Sequence, residues 1–256
     1  MSEPPPGHGL LAGKTVLVTA AAGTGIGSAA ASRCLAEGAR VAISDRHERR
    51  LAETAAKLTA EYGVQVLALP CDVTDQAQVS ALVEGVIGAF GQLDVLVNNA
   101  GLGGTASVLE MTDEQWSTVL DVTLTGTFRM TREVVPHMTG RRSGVIVNNA
   151  SVVGWRAQAG QAHYAAAKAG VMAFTRCTAL DVAEFGVRVN AVAPSLAMHP
   201  FLAKVTSDDV LDRLTASEAF GRAAQPWEVA TVIAFLASDY STYMTGEVVA
   251  VSSQHP

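Results

Sequence analysis

Short, almost wholly apolar runs recur along the chain: VLVTAAA at 16–22, RVAIS at 40–44, VQVLALP at 64–70, LDVLVNNAG at 93–101, GVIVNNAS at 144–151 and VRVNAVAP at 187–194. They are apolar on both faces, which predicts strands covered on both sides. Between them lie stretches of helical spacing: the small-residue segment SAAASRCLAEG at 28–38, then about 47–62, about 75–90, 112–138, and a last one carrying Tyr164 and Lys168 and running to about 183. Strands separated by helices of this length predict an α/β fold, a doubly wound parallel sheet (a Rossmann fold) with right-handed crossovers. Ligands of such sheets gather at the carboxyl ends of the strands. Those ends carry the noteworthy residues here: Gly23 to Gly27, Asp45, Asp72, Asn99, Ser151 and Pro194 each follow an apolar run.

With 256 residues, 49% of them hydrophobic, one domain is expected over 10–256. The opening MSEPPPGHG, residues 1–9, reads as a disordered or loosely attached tail. No apolar run approaches the roughly 18 residues needed to cross a bilayer, and no leader-like start precedes the first strand, so a cytoplasmic protein with no membrane partner is expected. A net charge of −6 without a basic cluster argues against nucleic acid and for a small ligand. Cys34, Cys71 and Cys177 lack CxxC spacing, which predicts buried free thiols, no disulfide framework and no metal site.

The first strand runs into GTGIG (Gly23, Gly25, Ile26 and Gly27), which opens a helix. Unpaired N–H groups and the helix dipole make such a turn an anion cradle. The next strand ends at Asp45, 18 residues past Gly27, where a dinucleotide fold sets a carboxylate on the adenosine ribose. Tyr164 and Lys168 are four apart and share a helix face. A cation about 4 Å from a phenol at an effective dielectric near 20 is worth about 4 kcal/mol, enough to lower a Tyr pKa by roughly three units. That would make Tyr164 a proton donor and acceptor near neutral pH, although an ordinary Lys one turn past a packed Tyr has the same spacing.

The glycine turn, NNAG at 98–101, Ser151, YAAAK at 164–168, AQPWEVA and FLASDYSTYMTGEVV together resemble the short-chain dehydrogenase/reductase family over about 12–251. The resemblance implies an oxidoreductase that interconverts a secondary alcohol and a ketone by hydride transfer with NAD or NADP. Tyr164 would be the acid/base, Lys168 would lower its pKa and hold the nicotinamide ribose, and Ser151 would hydrogen-bond the substrate oxygen. Asp72 and Val73 would face the adenine, Asn99, Ala100 and Gly101 would line the adenosine and phosphate side, and Pro194 and Leu196 would border the cofactor. It also implies a homotetramer or homodimer. Three departures stand out. The glycine motif is one residue longer than the family's, with Ala20 at its first Gly site, so the loop must bulge. Thr123 stands where the family has a catalytic Asn that kinks a helix and seats a water, so it is a catalytic candidate that would hold this water through its hydroxyl or leave it to a backbone carbonyl. Ser195 follows Pro194 where the family has Gly, and the family's nicotinamide-binding Thr falls at His199.

Asp45 favours NAD, because a ribose phosphate about 4 Å away would cost about 4 to 8 kcal/mol at effective dielectric 20. Arg46 beside it keeps NADP as the alternative. A substrate flap is expected at about 196–222, where Met198, Phe201, Leu202 and Phe220 suggest an apolar lid. Trp155, Arg156, Gln158, Gln161 and His163 lie between Ser151 and Tyr164 along the chain. TAAAGTGIG, NNASVVGWRAQ, AVAPS and the closing SSQHP resemble a subgroup of bacterial steroid-catabolic enzymes, implying a hydrophobic bicyclic substrate carried on CoA. The alternatives are a 3-oxoacyl-thioester reductase and, in another class, a dinucleotide-binding sensor or scaffold without turnover.

Overall fold

A computed structural model of the chain describes residues 3–198 and 208–253, without the side chains of 208–210 and 213. Seven parallel strands form one sheet in the order β3-β2-β1-β4-β5-β6-β7. They are β1 (Thr15–Thr19), β2 (Arg40–Asp45), β3 (Leu67–Pro70), β4 (Val95–Asn98), β5 (Gly144–Asn149), β6 (Val187–Pro194) and β7 (Val248–Val251). The described helices are α1 (Ile26–Ala36), α2 (Glu48–Tyr62), α3 (Gln76–Phe90), α4 (Asp113–Leu120), α5 (Gly126–Arg141), α6 (Ala162–Val182), α7 (Asp208–Ala216) and α8 (Pro226–Ala237). The expected doubly wound α/β architecture is present.

The central strands are buried on both faces, and successive residues supply two cores. Val16, Val18, Val95, Val97, Val145 and Val147 face α1 and α8, together with Ala30, Cys34, Val229 and Ile233. Leu17, Leu96 and Ile146 face the other way, onto Val79, Leu82 and Val86 of α3 and Met130, Val134 and Met138 of α5. The edge strand β3 is only half-buried and starts at Leu67; Val64, within the predicted strand, is 48% exposed. Strand order reverses beside β1, whose neighbours are β2 and β4, and at this switch point the carboxyl ends of the strands open a crevice.

The Pro/Gly-rich start is exposed along 3–9 but tied to the end of α1. The Arg33 guanidinium donates to Pro5 O at 2.6 Å, and the Glu37 carboxylate accepts from the N–H groups of His8 (2.9 Å) and Leu10 (3.0 Å). Arg33 and Glu37 pair with each other and are both buried. Cys34 and Cys71 are buried free thiols as expected, but Cys177 is exposed on α6, a correction to the sequence reading. Its place on an amphipathic turn depends on helix phase, which an all-round apolar segment does not reveal.

Candidate active site

The glycine turn follows β1. Ala20, at the site the family gives to Gly, has φ of +50°, a left-handed conformation that an L side chain adopts at a cost. The extra residue bulges toward α2: Ala22 N–H donates to Asp45 Oδ2 at 3.2 Å and Gly23 N–H to Thr54 Oγ1 at 3.0 Å. Asp45 Oδ1 accepts from His47 N–H at 3.0 Å, so both carboxylate oxygens hold backbone, while Arg46 is exposed. Gly27 is required by close approach, because a Cβ there would lie 2.4 Å from Ala20 O and 2.5 Å from Asn99 Nδ2.

Asn99 spends its side chain on protein partners. Its Nδ2 donates to Thr19 O (3.1 Å) and Ala20 O (3.0 Å), and its Oδ1 accepts from Asn149 Nδ2 (3.0 Å). Thr19 Oγ1, which sequence reasoning missed, accepts from the N–H groups of both Asn99 (3.0 Å) and Ala100 (3.1 Å). A buried polar chain stiffens the strand ends behind them: Asn98 Nδ2 donates to Thr131 and to Asn148 Oδ1, and Asn148 Nδ2 donates to Thr175. Asp72 caps its own turn through Thr74, and Val73 is buried against Gly126.

Ser151 lies two residues past the end of β5, and Tyr164 and Lys168 lie on the first turns of α6, so the three come together at the carboxyl edge of the sheet. Ser151 Oγ donates to Pro194 O at 3.5 Å and accepts from Val153 N–H at 3.3 Å. The dense protein around Tyr164 pushes its pKa above the ordinary value, and a hydrogen bond with Ser151 pulls it back. The four-residue spacing predicts that Lys168 lowers it. In the folded chain the Lys168 ammonium lies 5.6 Å from the centre of the Tyr164 ring, and burial brings its own pKa down to about 8. Burial is the largest influence on both groups. Lys168 Nζ is anchored on Asn149 O at 2.5 Å.

Thr123 is buried within a π-helical turn, Asp121–Thr125, that joins α4 to α5. Its Oγ1 accepts from Leu102 N–H at 3.0 Å and donates to Leu102 O at 3.3 Å. Both capacities of the hydroxyl are thus directed at one backbone residue, in the loop that passes Lys168. In this loop Gly101, Gly103 and Gly104 lie bare against α6: a Cβ on them would come to 3.4 Å from Lys168 Nζ, 4.0 Å from Tyr164 Cδ2 and 3.4 Å from His163 Nε2. Gln161 ties the same loop at Gly104 O (2.8 Å) and Thr105 Oγ1 (3.1 Å). His163 is buried behind it, whereas Trp155 is half-exposed. His199, Phe201 and Leu202 lie outside the described residues. Leu196 and Met198 are stitched to Ala224 by backbone bonds of 2.8 and 3.0 Å, and Phe220 is 77% exposed.

The geometry fits a dinucleotide. Gly25 caps α1 with no side-chain hydrogen bond, the first turn of α1 carries no acidic residue, and a Cβ on Gly23 or Gly25 would meet nothing within 4 Å. The result is an uncapped helix N-terminus under open space, suited to a pyrophosphate. Among the described residues no cluster of His, Cys, Asp or Glu could hold a metal, and no helix is long and apolar enough to cross a membrane.

Comparison with known proteins agrees with this geometry. The family described as "Enoyl-(Acyl carrier protein) reductase" matches residues 20–253. A protein of Mycobacterium tuberculosis (strain ATCC 25618 / H37Rv), named "(5R,7aS)-5-hydroxy-7a-methyl-1-oxo-2,3,5,6,7,7a-hexahydro-1H-indene-carboxyl-CoA reductase", is 64% identical over 251 residues, 98% of this chain and 96% of its own length. A 3-oxoacyl-[acyl-carrier-protein] reductase of Thermotoga maritima is 41% identical, over 94% of this chain and 97% of its own. The crystal structure of a short chain dehydrogenase from Mycobacterium smegmatis is 58% identical and superposes with a TM-score of 0.88, covering 100% of this chain and 98% of that one. The chain belongs to the short-chain dehydrogenase/reductase family and is an NAD(P)-dependent oxidoreductase.

Proposed function

We propose that the chain interconverts a secondary alcohol and a ketone on a hydrophobic bicyclic, steroid-derived CoA thioester. The observation that carries this reading is the 64% identity over 98% of the chain with a reductase of that substrate class. A bound nicotinamide cofactor would supply or accept the hydride. Tyr164 moves the proton, giving it to the substrate oxygen in reduction and taking it from the alcohol in oxidation. Ser151, hydrogen-bonded with Tyr164, would turn its single hydroxyl hydrogen from the long contact with Pro194 O to the same substrate oxygen and stabilise its developing charge. Lys168, anchored on Asn149 O, holds its ammonium over the Tyr164 ring face and would support the cofactor ribose.

Gly23, Gly25, Ile26 and Gly27 would cradle the pyrophosphate, and Ala100, Gly101, Pro194 and Leu196 would border the rest of the cofactor. Asp45, held by Ala22 and His47, would accept from the ribose hydroxyls, so NAD is the proposed cofactor. Exposed apolar side chains on α4, α5 and α6 (Trp116, Phe128 and Leu180) support a dimer or tetramer, and three free thiols suit a cytoplasmic setting.

The test is a panel of bicyclic and linear acyl-CoA alcohols and ketones, assayed with both cofactors. The bicyclic substrates are expected to give the higher kcat/KM, with NAD(H) ahead of NADP(H). Turnover of linear 3-oxoacyl thioesters alone would favour the 3-oxoacyl reductase reading, which the Thermotoga relative supports. Faster turnover with NADP(H) would overturn the role given to Asp45.

A further inference from the structure

Leu196, next to the Ser195 that stands in place of a family glycine, and Ser253, near the carboxyl-terminal end, converge on one side chain. Glu218, just beyond α7, is 4% exposed. Its Oε1 accepts from Leu196 N–H at 3.3 Å, and its Oε2 accepts from Ser253 Oγ at 2.8 Å and Ser253 N–H at 3.3 Å. These partners among the described residues are amides and a hydroxyl rather than a cation. A buried carboxylate persists only where donors converge on it in this way.

The two chain segments it joins are otherwise remote in sequence. On one side, Leu196 stands two residues past Pro194, whose carbonyl accepts from Ser151 Oγ, and Leu196 O accepts from Ala224 N–H at 2.8 Å. On the other, Ala219 N–H donates to Ser253 O at 2.6 Å, and Ser195 N–H reaches Val251 O at 3.1 Å, carrying the β6–β7 pairing beyond the strands. We infer that Glu218 is a positioning residue: its carboxylate fixes the loop 194–198 to the carboxyl-terminal segment and so sets the place of the Pro194 carbonyl, the resting acceptor that the Ser151 hydroxyl leaves when it turns to substrate. Glu218 itself touches no reacting atom. The inference rests on Ser151 acting at the reaction centre, as proposed above.

The test compares Glu218→Gln, Ser253→Ala and Ser253→Thr with the parent protein. Gln keeps the size but turns one acceptor oxygen into an NH2 group, which sets a donor against a donor. Amide hydrogen exchange over 195–198, at Leu196 above all, is expected to speed up about 10- to 100-fold in the cofactor-free Glu218→Gln protein, the range for losing a hydrogen bond to a charged acceptor, and less in Ser253→Ala. Ser253→Thr, which keeps the hydroxyl, should exchange like the parent. With substrate, kcat/KM should fall in step and the primary deuterium isotope effect on it should rise, as expected when the reacting groups are misaligned. A fall in melting temperature or in active fraction, with exchange at 195–198 and the isotope effect unchanged, would overturn the inference. If Glu218→Gln does not fold, equal exchange in Ser253→Ala and Ser253→Thr is the overturning result. Ser151→Ala separates the two readings: retained activity there defeats the proposed role of Ser151, while the exchange data still judge the Glu218 contacts.

Discussion

Replacing Lys168 by Met should make the cofactor-free protein more stable at pH 7 while destroying its activity. Lys168 is 3% exposed, and burial lowers its pKa from 10.5 to about 8. A gap of that size corresponds to about 3 kcal/mol of folding free energy spent on keeping the ammonium charged. Met fills nearly the same volume without charge, but leaves the Asn149 carbonyl without its Lys168 donor, a loss of about 1–2 kcal/mol. The net gain is about 1–2 kcal/mol, or about 2–8 °C in melting temperature for a chain of this size. The sign with pH follows from the lowered pKa. Below about pH 8 both folded and unfolded Lys168 are protonated and the full cost is present. Between about 8 and 10.5 the unfolded chain binds the extra proton, so the parent gains stability as pH rises and the advantage of Lys168→Met shrinks. Urea titrations at pH 7, 8.5 and 10, with turnover measured on the same samples, test this. A variant less stable at pH 7, or a difference that does not change with pH, would refute the desolvation argument; turnover within tenfold of the parent would refute the role of Lys168.

Thr123→Val should lower the urea midpoint by an amount equivalent to about 1–2 kcal/mol, because Leu102 N–H and C=O lose their partner in a part-buried loop, and Thr123→Ser should restore most of it. An unchanged midpoint in Thr123→Val would mean that the π-helical turn, not the hydroxyl, holds the 101–104 loop. Ala20→Gly should raise the melting temperature by about 1–3 °C, the relief of a left-handed Ala exceeding the added entropy of Gly in the unfolded chain. An equal or lower value would show that the bulged turn relaxes without cost.

The architecture was legible because strands covered on both faces must be apolar throughout, and six of the seven stood out in the sequence as runs of that kind. The crevice residues were legible for a related reason: a parallel sheet brings every strand end to one edge, so Ser151, Asp45 and Asn99 needed no contact information to be grouped. What the residues do there was less legible. Spacing suggested that Lys168 acts on Tyr164 through charge, but how much water each group loses depends on the loops around them, which four-residue spacing does not encode. Asn99 stood at a strand end as a cofactor contact, yet its amide is consumed by Thr19, Ala20 and Asn149. Thr123 marked a departure, while the π-helical turn that delivers it ends beside Gly126, which packs bare against Val73, a contact across 53 positions. Glu218 carried no signal, since its donors lie 22 and 35 positions away and a lone Glu near a helix end usually faces water.

The strap at the amino-terminal end changes how the chain should be handled. Prolines bring carbonyls without competing N–H groups, so Pro5 and Pro6 act as acceptors for Arg33, while Gly7 passes so close to Ala36 that any side chain would strike its carbonyl. A segment with the look of disposable padding therefore shields a buried ion pair at the end of the helix that opens the nucleotide crevice. Trimming the protein to begin at its first strand would strip donors from Glu37 and acceptors from Arg33 together. An affinity handle joined at residue 1 leaves that arrangement whole, whereas one spliced in place of the prolines does not.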